Sequence, residues 1–372
     1  MSRLEARPEP SRVMMLASPL IAAMAMLLTG SILFLFLGQD PVHAFFVYFI
    51  KPLATAYGVG ELLLKATPLI LCGVGLALAF RANVQNIGAD GQLTMGAIGG
   101  ASVALAFPDV QAGWLLPLML LAGMLAGMAW AAIPALLRTR FHTNEILVSL
   151  MLVYVAYLFL SYLVHGPLRD PDGFNFPQSK MFQEAALLPL LREGLRTNAG
   201  FVLALLAVAG AWFFCRRSFA GFRMQVSGMA PAAAAYAGYS EPRNVWLAFL
   251  ASGALAGLAG VGEVAGPIGQ LQPSVSPGYG FTAIIVAYVG RLHPVGVLLA
   301  SLLMSLLYIG GESVQMEMQL PTAITGVFQG LLLFYLLAAD LFIRYRFKPR
   351  RPASAPAAPA NGNSPAPGAA TS

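Results

Sequence analysis

The chain has 372 residues, of which 58% are hydrophobic and only 10% charged, with a formal net charge of +6. An ordinary soluble domain carries roughly 25% charged residues, so this composition excludes a single soluble core and predicts several bilayer-spanning helices. The positive balance does not indicate nucleic acid, because the basic residues sit in short clusters between apolar runs.

Ten spans are predicted along the chain, at about 14–37, 62–80, 87–107, 114–137, 146–164, 199–214, 245–264, 279–290, 294–311 and 322–343. Residues 1–13 precede them. The first apolar run, Met14 to Leu37, exceeds the roughly 7–15 residues of a secretory core, and no small-x-small cleavage site follows it, so it reads as a membrane helix. The third span opens on a Gly-rich polar break, Asn86-Ile87-Gly88-Ala89-Asp90-Gly91-Gln92. The eighth span is the most informative. Only about ten residues separate Gly280 from Gly290-Arg291, half of the roughly 20 a straight helix needs. A short apolar segment bounded by glycine, with Arg291 and His293 at its end, predicts a broken or re-entrant helix. Two such interruptions in one polytopic chain predict a transporter with its polar breaks beside the path. Residues 348–372, rich in Pro, Ala, Ser and Gly, are expected to form a disordered tail.

Ten crossings place both termini on one side, and charge selects the side. Sixteen Arg and Lys fall on the side of the termini, among them Arg81, Arg138, Arg140, Arg216, Arg217 and Arg291. Six, Lys51, Lys65, Arg169, Lys180, Arg192 and Arg196, fall on the other. This asymmetry predicts cytoplasmic termini.

Two loops stand out. The outer loop, 165–198, carries Pro167, Pro171, Pro177 and Pro189, and Phe182 to Leu191 is a candidate small helix that an external partner could meet. In the inner loop, 215–244, Gly221-Phe222-Arg223 reads as a turn, and Pro231, an alanine run and Gly238 mark the start, body and stop of a short helix. So short a helix is marginal alone in water; it suits either docking into a groove of another protein or lying on the lipid headgroups.

No phosphate-binding G-x-x-x-x-G-K-[ST], H-E-x-x-H, C-x-x-C or G-x-S-x-G occurs, and the four histidines are scattered over different loops. No catalytic residues, metal site or cofactor are expected, and Cys72 and Cys215 lack disulfide or metal spacing. Ionisable groups inside spans usually mark function. Asp90 reads either as a contact in the path or as an N-cap of its own helix. Glu145 is expected to cap its span, with contact to a partner as the alternative, and Glu263 and Glu312 to lie in the outer interfacial region, where either could face solute. Phe174, Phe176, Tyr279 and Phe281 could stack on a ring-shaped solute, though for Phe174 and Phe176 the plainer reading is anchoring at the membrane interface. The pairs Gly123/Gly127 and Gly253/Gly257 permit close helix contacts. So few buried carboxylates argue against an ion-coupled carrier.

The break at Asn86 to Gln92 resembles the NIGxEGQ element of ABC-importer permeases for nucleosides and simple sugars. Asn144-Glu145-Ile146 with Met151 and Tyr154, and the stretch from Pro277 to Pro294, resemble further elements of the same family, so that the likeness runs from about 60 to 340. The wider family also serves branched-chain amino acids and ribose. The resemblance implies an all-α, type II-importer-like permease in a bacterial inner membrane, paired with a second, related permease. It also implies two cytoplasmic ATPase subunits and a periplasmic or lipoprotein substrate-binding protein. It implies a translocation path near Asn86, Asp90, Gln92, Tyr279, Phe281 and Thr282, and an ATPase-coupling surface at Gly221, Pro231, Ala232, Ala233, Tyr236 and Gly238. Asp90 stands where the family usually has Glu. Gln225 to Pro231 stands where it often has Arg-Ala-x-Gly-Glu-Asn-Pro, so coupling here is expected to lean on packing.

Overall fold

A computed structural model of the chain describes residues 3–6, 12–192, 194–321 and 323–348. The expected disordered tail, from 349 onward, and residues 1, 2 and 7–11 of the N-terminal segment lie outside the described residues. In chain order the helices are α1 (Arg12–Phe36), α2 (Pro41–Phe45), α3 (Ala56–Arg81), α4 (Ala89–Ala106), α5 (Leu115–Phe141), α6 (Glu145–His165), α7 (Gly200–Arg217), α8 (Phe219–Met229), α9 (Pro231–Tyr236), α10 (Glu241–Glu263), α11 (Tyr279–Val289), α12 (Pro294–Met318) and α13 (Ala323–Arg344). Each predicted span coincides with one of these helices. Of them, α3, α5, α6, α7, α10 and α12 are long and apolar enough to cross a membrane. Among the described residues the fold is all-α apart from a short ribbon, in which Arg3–Ala6 pairs antiparallel with Tyr345–Lys348.

Local chemistry sets the helix ends. The Thr55 hydroxyl accepts the Gly58 N–H at the start of α3, and the Asn144 carbonyl accepts from Ile146 and Leu147 at the start of α6. Glu145, expected as the cap, instead pairs with Arg138 at 2.6 Å. Proline occupies the first turn of α2, α9, α10 and α12, where its missing N–H costs nothing.

Two regions differ from the sequence reading. Residues 38–55 read as loop but hold α2, a π turn (Phe46–Ile50) and a 3₁₀ turn (Lys51–Leu53). Tyr48 is fully buried there, and its hydroxyl donates to the Leu307 carbonyl at 2.8 Å. Pieces of three to five residues are too short to show a helical period. Conversely, Phe182 to Leu191 forms a single 3₁₀ turn, Glu184–Ala186, instead of a small helix. Its backbone is claimed by cross-chain bonds, Phe182 N–H to the Gly269 carbonyl and Leu188 N–H to the Ala265 carbonyl.

The bundle is organised around α3, whose apolar window is 89% buried, whereas those of α5, α6 and α7 are 22% buried and face outward. One end gathers the arginines: Arg81, Arg216 and His293 line one recess, and Arg138 and Glu241 another. The other end gathers Lys51, Lys65, Arg196, Glu312 and Glu317. Between these ends the chain makes the same pattern twice, inverted. Long α3 runs to the basic end, an extended segment 82–88 turns back inside, α4 follows, and α5 returns alongside. Long α10 runs to the opposite end, segment 269–278 turns back, α11 follows, and α12 returns. Accordingly α4 packs on α5 and α10, and α11 packs on α12 and α3.

A seam of glycines joins α4, α5 and α10. A Cβ at Gly257 would meet the Gly123 carbonyl oxygen at 2.3 Å, one at Gly127 the Gly253 oxygen at 2.3 Å, and one at Gly96 the Gly257 Cα at 2.3 Å. The two glycine pairs seen in the sequence thus pack on each other. Backbone-to-backbone approach of this kind replaces the hydrophobic drive that lipid removes. Gly257→Val is expected to force α10 away from α5 and to destabilise the bundle by about 2 kcal/mol or more. Thermal unfolding in detergent checks this against Gly210→Val, where an added side chain meets nothing within 4 Å. Equal melting temperatures for the two variants would contradict the seam.

Candidate functional site: a junction of two half-helices

The two polar breaks meet each other. Segment 82–88 enters the bundle from the basic end and segment 269–278 from the opposite end, and the half-helices α4 and α11 begin where they touch. Asn86 donates to the Ser252 hydroxyl at 3.0 Å. Ser252 lies eleven residues into α10, about 16 Å along its axis, so the junction sits near mid-depth. With eleven residues, α11 spans about 16 Å, roughly half of a 30 Å hydrocarbon core.

Asp90 is the centre of the junction and is fully buried. It occupies the first turn of α4, yet its carboxylate does not cap α4. Its Oδ1 accepts the Ser276 hydroxyl at 2.7 Å and the Gly280 N–H at 3.1 Å, and its Oδ2 accepts the Tyr157 hydroxyl. The expected own-helix cap is therefore corrected: Asp90 caps the N-terminus of α11 from the first turn of α4. Ser276 in turn accepts the Gly278 and Tyr279 N–H groups at 3.1 and 2.9 Å. The carboxylate thus caps one helix N-terminus, that of α11, from a position in the first turn of the other, α4. Close approach requires glycine at 280, where a Cβ would lie 2.2 Å from the Asp90 nitrogen. Gly278, with φ of +93°, supplies the left-handed turn into α11.

Asn86 and Gln92 form a second buried element. Asn86 Nδ2 donates to Gln92 Oε1 at 3.0 Å, and Gln92 Nε2 donates to Asn86 Oδ1 at 3.1 Å. Asn86 Oδ1 also accepts the Gly88 N–H, and the Ser149 hydroxyl accepts the Ile87 N–H. The start of α4 is closed by these bonds.

The structure therefore brings Asn86, Asp90, Gln92, Tyr279, Phe281 and Thr282 into one region. The first four and Thr282 are buried, and Phe281 is half-buried. Thr282 bonds the Tyr308 hydroxyl at 2.8 Å, and the rings of Tyr279 and Tyr308 meet edge to face with centroids 5.7 Å apart. Phe174 and Phe176 lie apart from this group, on the exposed outer loop. Glu263 closes the outer end of α10, as expected, but is buried there by its neighbours, and Glu312 pairs with Lys65 at 2.8 Å at the same end. Ser149, Tyr157, Ser252 and Ser276 escaped the sequence reading. Only Ser276, just ahead of the Pro277-Gly278 turn, gave a local hint.

At the basic end, residues 219–229 are helical, so Gly221 is a packing residue inside α8 and not a turn. A Cβ there would meet the Phe214 carbonyl oxygen at 2.3 Å. The predicted helix from Pro231 forms as α9, ends at Tyr236, and is closed by Gly238 at φ +77° with the Tyr239 N–H returning to the Ala234 carbonyl at 2.9 Å. Ala234 is buried, Ala232 and Ala233 are exposed, and Tyr236 is 97% exposed. Arg223 bonds Asn244 at 3.0 Å and Asn244 bonds Ser227 at 2.7 Å, which ties α8 to α10. Burial and the positive charges of Arg81 and Arg216 hold the His293 imidazole below its ordinary pKa, so it stays neutral at pH 7.

At the opposite end, the loop after α6 is strapped to the segment that feeds α11. Ser179 N–H donates to the Leu271 carbonyl at 2.8 Å, Phe182 N–H to Gly269 at 2.8 Å, and Leu188 N–H to Ala265 at 2.7 Å. The loop is therefore hydrogen-bonded to the start of the 269–278 segment, and the chain from Leu271 to Ser276 carries that link on to the Asp90 junction.

Asp90→Ala would leave the Gly280 N–H and the Ser276 and Tyr157 hydroxyls without their shared acceptor. A loss of about 3 kcal/mol or more is expected, read as a lower melting temperature of the purified chain. Tyr157→Phe removes one of the bonds and is expected to cost about 1–2 kcal/mol. An Asp90→Ala chain as stable as the parent would refute the junction's structural weight.

Residues 58–337 match the family described as the permease component of branched-chain amino acid transport systems. The glucose ABC transporter permease of Haloferax volcanii is 39% identical over 342 residues, covering 88% of this chain and 89% of its own. The guanosine ABC transporter permease of Bacillus subtilis is 32% identical, covering 90% and 96%. The nucleoside ABC transporter permease of Lactococcus lactis is 30% identical, covering 86% and 89%. With the family matched over most of its length and its half-helices joined inside a helical bundle, this chain belongs to the branched-chain amino acid transport permease family and is a membrane subunit of an ABC transporter.

Proposed function

We propose that the chain is a permease subunit of an ATP-driven importer that takes up nucleosides. The observation that carries the transport reading is the pair of half-helices meeting at Asp90. Such a joint lets one half tilt against the other without exposing backbone to lipid. The residues around it, Asn86, Asp90, Gln92, Tyr279, Phe281 and Thr282, flank the path in this reading and form its gate.

The basic end faces the cytoplasm of a bacterial inner membrane, with both termini there, as the charge asymmetry favours. ATP hydrolysis resides on separate ATPase subunits. They dock against α8 and α9, where Ala232, Ala233 and Tyr236 present a small, protruding surface. A second permease completes the translocation unit, and a substrate-binding protein, periplasmic or lipid-anchored, delivers solute at the opposite end. Movement of α9 by the ATPase then switches access. Two relatives named for guanosine and nucleoside transport, each spanning most of the chain, support nucleosides. The second reading is a simple sugar, favoured by the 39% identity to the glucose permease.

The test is ATP-dependent uptake by the reconstituted complex, comparing radiolabelled guanosine, glucose and leucine. Guanosine uptake that glucose and leucine do not compete away supports the nucleoside reading. Uptake of glucose alone transfers the assignment to sugars, and uptake of leucine alone overturns both. For coupling, Ala233→Glu is expected to reduce co-purification of the ATPase at least about tenfold, a difference of ~1.4 kcal/mol, with the chain's melting temperature unchanged. Full ATPase recovery with that variant would remove α9 from the interface.

A further inference from the structure

At the basic end, the last residues of α3 and α7 and the start of α12 enclose a recess of about 200 Å³. Arg81, Arg216 and His293 supply its basic groups, one from each of these three places, and Gln225 of α8 adds an amide. No carboxylate lies among the described residues that line it. Both guanidiniums act electrostatically on His293, so the three groups converge. Elsewhere in the bundle Lys51, Lys65, Arg138 and Arg196 each reach a carboxylate. Among the described residues Arg81 and Arg216 reach none. Pro294, in the wall of the recess, opens α12, whose N-terminus has no side-chain cap and adds partial positive charge. Positive groups gathered in this way repel one another unless an anion shares them.

The α7 wall shows what kind of anion fits. This helix is long and apolar enough to cross a membrane and only 22% of its apolar window is buried, so it faces lipid. Leu205, Ala209, Trp212 and Arg216 recur along it at steps of four, three and four residues, share one face and are all exposed. The Arg216 guanidinium lies over the Trp212 ring, 5.2 Å from its centroid. The face therefore runs from a cation at the helix end, through an indole one turn further in, to small and branched apolar side chains. A phospholipid presents the same order: phosphate, interfacial ester zone, acyl chain. A soluble phosphate would use the first part of this surface and leave the rest without a role.

We propose that the recess binds the phosphodiester headgroup of an anionic phospholipid, with an acyl chain lying along α7 past Trp212 toward Leu205. The proposal needs only a chain that spans a bilayer, and it holds whichever leaflet the basic end meets. Arg81 and Arg216 donate charge-assisted bonds to the phosphate oxygens, and the His293 imidazole and the Gln225 amide each have an N–H to add. The phosphate thereby ties the ends of α3 and α7 to the start of α12, beside α8. Phosphatidylcholine carries the same phosphodiester but brings a quaternary ammonium to a recess that already holds two guanidiniums, so it binds more weakly.

The experiment uses the full chain in mild detergent and reads Cys215, the thiol in the recess wall, while Cys72 is buried. Labelling by N-ethylmaleimide is timed after addition of phosphatidylglycerol, phosphatidylcholine, glycerol 3-phosphate or the ATPase subunits. Phosphatidylglycerol is expected to slow labelling about fivefold, and phosphatidylcholine and glycerol 3-phosphate less than about twofold. Native mass spectrometry is expected to find phosphatidylglycerol bound at least about tenfold more weakly by the Arg81→Gln/Arg216→Gln chain. Arg192→Gln, exposed at the opposite end, is expected to bind it as the parent does. Labelling of the parent chain needs no variant, so it decides the matter even where the double variant folds poorly. Equal slowing by glycerol 3-phosphate makes this a site for soluble phosphates and overturns the lipid. Slowing by the ATPase subunits with none by phosphatidylglycerol makes the recess a protein contact and overturns it too. So does a double variant that melts with the parent and binds phosphatidylglycerol equally well.

Discussion

One carboxylate holds this molecule together at its weakest point. Two helix N-termini pointed at each other inside a bilayer repel, and each presents unpaired N–H groups that lipid cannot satisfy. Asp90 answers both problems at once. From the first turn of α4 its carboxyl group faces the N-terminus of α11 and takes the Gly280 N–H and the Ser276 hydroxyl. Tyr157 of α6 and the Asn86–Gln92 amide pair hold the other side of the joint. Without that acceptor the α11 N-terminus has no partner at mid-depth, and the inverted pattern of long helix, re-entering segment and half-helix has no centre.

The two halves of that pattern are not equally firm. The α4, α5 and α10 group is locked by backbone against backbone at Gly96, Gly123, Gly127, Gly253 and Gly257. On the other half, α11 meets backbone closely only at its two ends, Gly280 against Asp90 and Gly290 against Gly296, while along α3 it leans on side chains, Val286 and Val297 closing over Gly73. Side-chain contacts slide more readily than a glycine seam. Under the proposed function, the contact of α11 along α3 is the softer of the two and the α4 group is the firmer.

Much of this was legible in the sequence because it depends on local hydrophobicity and on glycine and proline. The ten spans, the breaks at 86–92 and 278–280, and the α9 start at Pro231 and stop at Gly238 are all of that kind. The partners of Asp90 were not legible, because Ser276, Gly280 and Tyr157 come from distant parts of the chain, and no pattern near Asp90 specifies them. The same reason hid the use of Asp90: an Asp-Gly-Gln run at a helix start suggests a cap for its own helix, and only the arrival of α11 redirects it. The glycine pairs were visible as small residues, but not as each other's partners. Residues 38–53 were left unassigned and Gly221 was taken for a turn because short turns and a glycine-bearing amphipathic helix leave little periodic trace.

The strap between the loop after α6 and the segment ahead of α11 is made mainly of main-chain bonds, from Ser179, Phe182 and Leu188 to Leu271, Gly269 and Ala265. Main-chain bonds ask little of the side chains that carry them. Under the proposed function, substitutions on the exposed surface of this loop alter which external protein lands there while leaving intact the mechanical link from the loop to α11. In that reading recognition and transmission are separable, so a lineage can change its delivery protein without rebuilding its gate.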